Sequence, residues 1–368
     1  MTIVDENREN RAENVYSLSM QEQIKYMRRC FELARMGRNR VAPNPMVGAV
    51  IVHNNRIIGE GYHREFGKPH AEVNAISSVA DKSLLTESTM YVNLEPCSHY
   101  GKTPPCSDLI VQKKIKKVVI GCLDSNPEVA GKGVSHMRQY GVMVELGILE
   151  KESRKLNRRF FIFHEKHRPY IILKWAQSAD GYMDIDRSDD KPEIHWISTV
   201  QSKRLVHTWR AMEAAILIGN RTAINDDPEL TTREVFGTNT LRILIDPGLK
   251  TDVKHKVYNS SSKTLVFNLL KNVIKDNIEY VKLNDSSDLL HHILNELYRR
   301  NILTVIVEGG KKTHQSFIES DLWNEARVIN GKVFFKDGLK APELHRIPDA
   351  QYQIGTDRVD TYYNLSGK

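Results

Sequence analysis

Residues 69–76 read PHAEVNAI and residues 95–106 read EPCSHYGKTPPC. These two stretches place His70, Glu72, Cys97 and Cys106 beside apolar runs. Zinc takes nitrogen and thiolate ligands in a tetrahedron. Three protein ligands leave a catalytic position open, and four close a structural site. His70, Cys97 and Cys106 supply three. Glu72 follows the histidine by two residues at the start of a predicted helix. It can face the open position without ligating, and a carboxylate there can carry a proton from water to a leaving amine.

Elements predicted outward from these stretches define a first domain. Ile24, Met27, Phe31 and Ala34 recur at helical spacing over 21–36. GAVIVHNNRIIGEGYH reads as two strands around an Asn54-Asn55 turn. A helix over 71–79, the strand TMYVNLE and a short helix from about Ser107 follow. Then come the strand KKVVIGCL, a helix near 133–140 and the strand VMVEL. A hairpin followed by alternating strands and helices predicts a central sheet covered by helices. Residues 149–165 read as one charged connecting helix.

From RPYIILKWAQS onward the pattern restarts. Helices over 199–213, 288–300 and 312–321 alternate with the strands AAILIGN, LRILIDP, KTLVFN and ILTVIVEGG. The fold class is α/β twice over. The expected division is a disordered leader at 1–20, a first domain at 21–148, a connecting segment at 149–168 and a second domain at 169–368.

A chain of 368 residues with 40% hydrophobic residues is long enough for two cores. Its apolar runs are too short for a membrane helix, and its first residues lack the apolar core of an export signal. Four cysteines in such a chain suit a reducing cytoplasm and metal ligation better than disulfides. The net charge of +7 permits nucleic acid as a partner. With no basic run or aromatic-basic interleaving, it equally fits scattered lysines and a phosphorylated small molecule.

The pattern H-x-E, then P-C and a second cysteine, is that of the zinc deaminases, here with eight rather than two residues between the cysteines. Two other readings stay open: a structural zinc with His99 as fourth ligand, which leaves Glu72 idle, and unliganded core cysteines.

PNPMVGAVIV, GYHREFGKPHAEVNAI, YVNLEPCSHYGKTPPC and DSNPEVAGKG together resemble the deaminase half of the bifunctional deaminase-reductases of riboflavin biosynthesis. LKWAQSADG, HWIS, LIGNRTAINDDPELTTR, LRILIDP and VEGGKKTHQSF resemble the reductase half, a domain similar to dihydrofolate reductase. The resemblance covers roughly 21–340. It implies a cytidine-deaminase-like first domain that removes the 2-amino group of 2,5-diamino-6-(5-phosphoribosylamino)pyrimidin-4-one. It further implies NADPH-dependent reduction of the ribosyl chain of the resulting uracil to ribityl.

Residue by residue, the resemblance implies one zinc per chain on His70, Cys97 and Cys106, with Glu72 as the catalytic proton shuttle. It places Asn44, His63, Lys102 and Asn126 on the deaminase substrate. It assigns NADPH to Ala176, Trp196, Thr222, Asp226 and the turn Gly310, Lys311, Lys312, Thr313, His314, Gln315 and Ser316. Arg210, Leu230, Arg233 and Glu308 fall at reductase-substrate positions. It also implies a homodimer through the reductase domain, with no nucleic acid or membrane as partner.

Side-chain chemistry supports several of these positions. Asn44 and Asn126 suit a pyrimidine edge, or plain Asn-Pro turns. Lys102, Arg210 and Arg233 suit a phosphate. Three features depart from the family pattern: Ile194 two residues before Trp196, the long acidic stretch DGYMDIDRSDDKPEIHW, and the missing proline after Gly309-Gly310. The alternative function is a base deaminase acting on RNA or nucleotides, with a second domain that does not reduce.

Overall fold

The computed structural model describes residues 19–100, 104–186, 195–284 and 288–364. The expected leader, apart from its last two residues, therefore lies outside the described residues, as do Lys102, Ile194 and much of the acidic stretch. The chain divides into two compact units, Met1–Glu165 and Lys166–Lys368.

The first unit opens with helix α1 (Met20–Met36), whose start is closed by a capping box between Ser19 and Glu22. Its sheet has the order β2-β1-β3-β4-β5: β1 is Gly48–His53, β2 Arg56–Tyr62, β3 Thr89–Leu94, β4 Lys117–Cys122 and β5 Met143–Leu146. β1 pairs antiparallel with β2 and β3, whereas β3, β4 and β5 run parallel. The parallel strands β3 and β4 are almost wholly buried, which is why they read as continuous apolar runs.

Helices α2 (Ala71–Ser78), α3 (Cys106–Gln112) and α4 (Lys132–Gln139) connect these strands. Met27, Cys30 and Phe31 of α1 pack against Val50 and Tyr91, while Ala71, Ala75 and Ile76 of α2 pack with Ile51, Val92 and Ile120. The expected single helix over 149–165 is two helices, α5 (Glu150–Leu156) and α6 (Arg158–Lys166). The break falls at Asn157, whose side chain is occupied by the backbone of Met46.

The second unit holds a ten-stranded sheet of order β11-β12-β10-β9-β8-β13-β6-β14-β17-β16. Its parallel centre consists of β6 (Tyr170–Gln177), β8 (Ala215–Gly219), β9 (Leu241–Ile245), β10 (Thr264–Asn268), β12 (Ile278–Lys282), β13 (Thr304–Val307) and β14 (Glu325–Asn330). Antiparallel strands close both ends: β11 (Val273–Lys275) at one, β17 (Asp357–Tyr363) and β16 (Ala350–Ile354) at the other. A small separate ladder joins β7 (Tyr182–Asp184) to β15 (Leu339–Lys340). The helices are α7 (Val200–Met212), α8 (Asn220–Asp226), α9 (Leu289–Arg299) and α10 (Lys311–Glu319). No helix among the described residues is long and apolar enough to cross a membrane.

Close approach of α2 to the sheet depends on Gly61. A Cβ there would lie 2.2 Å from the Ala75 nitrogen and 2.5 Å from the Ala71 oxygen. Gly61→Ala is therefore expected to push α2 outward at a cost of about 1–3 kcal/mol, the usual range for overpacking. Chemical denaturation followed on the two units should show the first unit weakened and the second unchanged.

Candidate functional sites in the two units

His70 is the N-cap of α2, yet its side chain makes no capping bond. Its Nδ1 lies 3.5 Å from the Cys97 sulfur and 3.4 Å from the Cys106 sulfur. The three ligand atoms all fall within 4.8 Å of one another, and no fourth ligand joins them among the described residues. A tetrahedral zinc with the usual Zn–N and Zn–S bonds would hold nitrogen and sulfur about 3.6 Å apart. The donor set and spacing thus fit that ion with one position open. His99, weighed from the sequence as a fourth ligand, lies outside this group and lines the adjoining cavity.

Glu72 occupies the first turn of α2 and is 3% exposed. Its Oε2 is buried without a hydrogen-bond partner. Burial pushes its carboxyl up to about 7, against the opposing pull of His70. Hydrogen bonds from Cys106 and His70 push the Cys97 thiol down despite burial. The backbone N–H of Cys106, at the start of α3, donates to the Cys97 sulfur at 3.3 Å.

These residues face a cavity of ≈ 260 Å³ that Asn44, His63, Lys68, Asp124 and Asn126 also line. Asn44 Nδ2 lies 3.2 Å from His63 Nε2. Asn126 does both things its type allows: its Oδ1 accepts from Glu128 N as a turn former, and the residue lines the cavity. Burial pushes the Asp124 carboxyl up to about 7.

Sequence reading missed Lys68, Asp124 and Glu95. Glu95 accepts backbone N–H bonds from Asp124, Gly131 and Val134, so it ties the Cys97 segment to the Asn126 loop. Its position in E-P-C was visible, but its partners lie about 30 or more residues away in the chain.

In the second unit Glu308 sits at the end of β13, between two cations. Arg210 Nε and Nη2 each reach its carboxylate at 2.8 Å, and Lys174 Nζ lies at 3.3 Å. The three side chains are 7%, 12% and 14% exposed for Glu308, Arg210 and Lys174. Burial alone would raise the Glu308 carboxyl, but Arg210 and Lys174 hold it down at about 2. Burial pushes the Lys174 ammonium down despite Glu308.

Arg210 Nη1 turns to the Thr231 carbonyl at 3.4 Å, and Arg233 Nη1 lies 3.4 Å from the Thr231 hydroxyl. Both arginines thus border the 227–233 turn, where Asp227 and Leu230 adopt left-handed backbone with φ of 40° and 54°. The Leu230 side chain is buried. Lys174 was missed although its signal was present, a lone lysine inside the buried strand YIILKWAQ.

The Gly309-Gly310 turn opens α10, and Gly310 caps it without a side-chain bond. A Cβ on Gly310 would meet Thr222 Oγ1 at 3.4 Å, and one on Gly219 would meet Thr313 Oγ1 at 2.9 Å. Thr222, Thr313 and the glycine turn therefore converge on one helix N-terminus, where backbone N–H groups suit the phosphates of a dinucleotide.

The other expected cofactor residues divide by environment. His314 is fully buried and faces the carbonyls of Gly310, Lys174 and Val307. Ser316 bonds the Lys312 carbonyl within the helix. Trp196 is 57% exposed, with Lys203 Nζ 5.3 Å from its ring centroid. Ala176 pairs with Ile329 across β6 and β14. Asp226 ends α8. Gln315 and Lys311 lie on α10 with Lys312.

Residues 20–122 match the cytidine and deoxycytidylate deaminase zinc-binding region, and residues 169–335 match the RibD C-terminal domain. The riboflavin biosynthesis protein RibD of Aquifex aeolicus is 38% identical over 327 residues, 87% of this chain and 89% of that protein. That of Bacillus amyloliquefaciens is 34% identical over 365 residues, covering 93% and 96%. A crystal structure of a diaminohydroxyphosphoribosylaminopyrimidine deaminase/5-amino-6-(5-phosphoribosylamino)uracil reductase from Thermotoga maritima is 36% identical, covers 93% of this chain and 98% of that one, and gives a TM-score of 0.79. Acinetobacter baumannii RibD is 28% identical, with coverage of 94% and 99% and a TM-score of 0.82.

Removing one sulfur should empty the metal site. Cys106→Ser is expected to lose bound zinc, read by metal analysis of the purified protein. Full zinc retention in that variant would show that the ion is held elsewhere.

Proposed function

The chain belongs to the RibD family of bifunctional deaminase-reductases of riboflavin biosynthesis, and from that membership we propose how its residues divide the two reactions. The protein has a zinc-binding deaminase domain and a reductase domain. The first acts on 2,5-diamino-6-(5-phosphoribosylamino)pyrimidin-4-one with release of ammonia. The second reduces the ribosyl chain of 5-amino-6-(5-phosphoribosylamino)uracil. The observation that carries the site reading is the unpaired Oε2 of Glu72, buried beside the His70, Cys97 and Cys106 triangle.

His70, Cys97 and Cys106 hold one zinc per chain, which supplies Lewis acidity for water activation. Glu72 takes a proton at Oε2 and returns it to the departing amine. Its Oε2, buried without a hydrogen-bond partner, is available for both steps. Asn44, His63 and Asn126 orient the pyrimidine within the cavity. Lys102 and the rim residue Lys68 meet the phosphate by charge.

In the second unit the α10 N-terminus, Thr222, Asp226, Ala176 and Trp196 hold NADPH, which supplies the hydride. Arg233, with its side chain 47% exposed beside Glu229, grips the substrate phosphate. Arg210 holds Glu308 in place and keeps Nη1 on the same turn. Lys174, whose ammonium is bonded to Glu308 and has its pKa pushed down by burial, can donate a proton as the ribosyl ring opens. We place the dimer contact of the family on this unit.

Two variants separate the activities. Glu72→Gln is expected to keep zinc while ammonia release falls roughly 10²–10⁴-fold, the loss typical of a general acid/base. Its NADPH oxidation with the deaminated ribotide should stay near wild type. Arg233→Ala should raise the reductase KM by roughly 10- to 150-fold, the value of one charge-assisted hydrogen bond, and leave ammonia release intact. Equal damage to both activities by either variant would refute the division.

A further inference from the structure

Residues 149–165 lie outside both regions matched to known domains, which cover 20–122 and 169–335. Sequence reading takes them for a connector. In the structure they belong to the first unit, and three observations tie them to the deaminase cavity.

First, Asn157 is 3% exposed and uses its whole side-chain amide on one residue. Its Oδ1 accepts from Met46 N at 2.8 Å and its Nδ2 donates to Met46 O at 2.9 Å. Asn93 braces the same turn, donating to Met46 O at 3.1 Å and accepting from Gly48 N at 2.7 Å. Met46 stands between Pro45 and Val47, and Asn44, Pro45 and Val47 all line the cavity. Asn157 therefore clips the loop that presents Asn44.

Second, Phe160 lines the same cavity, together with Glu72, His70 and Cys97. It is 6% exposed and, among the described residues, the only Phe, Tyr or Trp other than Phe66 that lines the cavity. Phe66 is 41% exposed, so Phe160 is the buried aromatic wall.

Third, the helix pair is seated firmly. Phe161 packs with Leu94 and Cys122 and against Val47. A Cβ on Gly121 of β4 would lie 2.2 Å from Ser153 Oγ. The Arg154 guanidinium carbon lies 4.2 Å from the Phe161 ring centroid. Phe160 is thus held by its neighbours, not by a loop.

We infer that α5 and α6 form a wall of the deaminase site, with Phe160 as a specificity-determining residue against the flat pyrimidine and Asn157 as a positioning residue for Asn44. An aromatic ring buried in the wall of this cavity can recognise the π-surface of a base, which a metal, a proton shuttle and two amides do not. The Asn157 amide bonds a loop backbone and touches neither ligand nor shuttle, so it acts through Asn44.

The inference rests on reading this cavity as the deaminase site, and the test keeps the two apart. Ammonia release from the diaminopyrimidine ribotide is measured for wild type, Phe160→Leu, Phe160→Ala and Asn157→Ala, alongside zinc content and NADPH oxidation with the deaminated ribotide. Wild type that releases no ammonia would refute the site reading itself. With wild type active, Phe160→Leu, which keeps an apolar side chain but loses the aromatic face, should raise KM by roughly 5-fold or more, the lower end of base–aromatic stacking. Its kcat, zinc content and reductase activity should stay close to wild type, the signature of lost binding without lost chemistry. Asn157→Ala should raise KM in the same way with zinc retained. If Phe160→Ala fails to fold, Phe160→Leu decides the question. Unchanged KM in Phe160→Leu and Asn157→Ala overturns the inference, as does a fall in kcat and zinc at constant KM.

Discussion

One oxygen of Glu72 is buried with no partner, and the first unit is arranged around keeping it so. An unpaired buried polar atom costs about 1–3 kcal/mol, more when charged. The compensation is visible in the surroundings. Glu72 lies in the first turn of α2, where the helix dipole favours negative charge. The N-cap before it is His70 rather than a Ser, Thr, Asp or Asn that would satisfy the helix end. The capping bond is given up so that the imidazole can face two sulfurs. Glycines let α2 lie close on β2, since Cβ atoms at Gly59 and Gly61 would meet the Ala75 backbone at 2.6 and 2.2 Å. Glu72 and His70 are thereby set at the start of one short helix, and the two sulfurs come from the segment after β3 and the start of α3.

Much of this was legible in the sequence because it is local. His70 and Glu72 are two residues apart, and Cys106 opens a helix whose start is marked by Pro104 and Pro105. Most of the buried parallel strands announce themselves as apolar runs, and the expected strands from GAVIVH to TVIV all occur. Among the strands that escaped reading, β14 is buried but Glu325, Arg327 and Asn330 interrupt its apolar run, and β16 and β17 are of another kind. β16 is exposed along nearly its whole length, and β17 mixes Asp, Arg and Thr with tyrosines, so neither shows a clean period. β17 joins the sheet by pairing with β14, roughly 30 residues earlier in the chain, and β16 pairs in turn with β17.

The site residues that escaped share a different cause, which is distance along the chain. Glu95 acts on the backbone of 124–134, Asn157 on Met46, and Lys174 on Glu308. No spacing rule connects such pairs, because the fold alone brings them together. Arg210 shows the same limit from the other side. Its residue type suits a phosphate, yet both fork nitrogens are spent on Glu308.

Each unit buries a glutamate at its candidate site, and the protein sets the two oppositely. Glu72 is buried among sulfurs and an imidazole, and desolvation dominates, so its carboxyl rises to about 7. Glu308 is equally enclosed, but Arg210 and Lys174 outweigh desolvation and bring it to about 2. The first environment suits a group that must gain and lose a proton during each turnover. The second keeps a carboxylate charged between an arginine and a lysine, even though burial pushes the Lys174 ammonium down. The same residue type thus has its hold on a proton strengthened in one unit and weakened in the other. The difference comes from what each carboxylate is buried against.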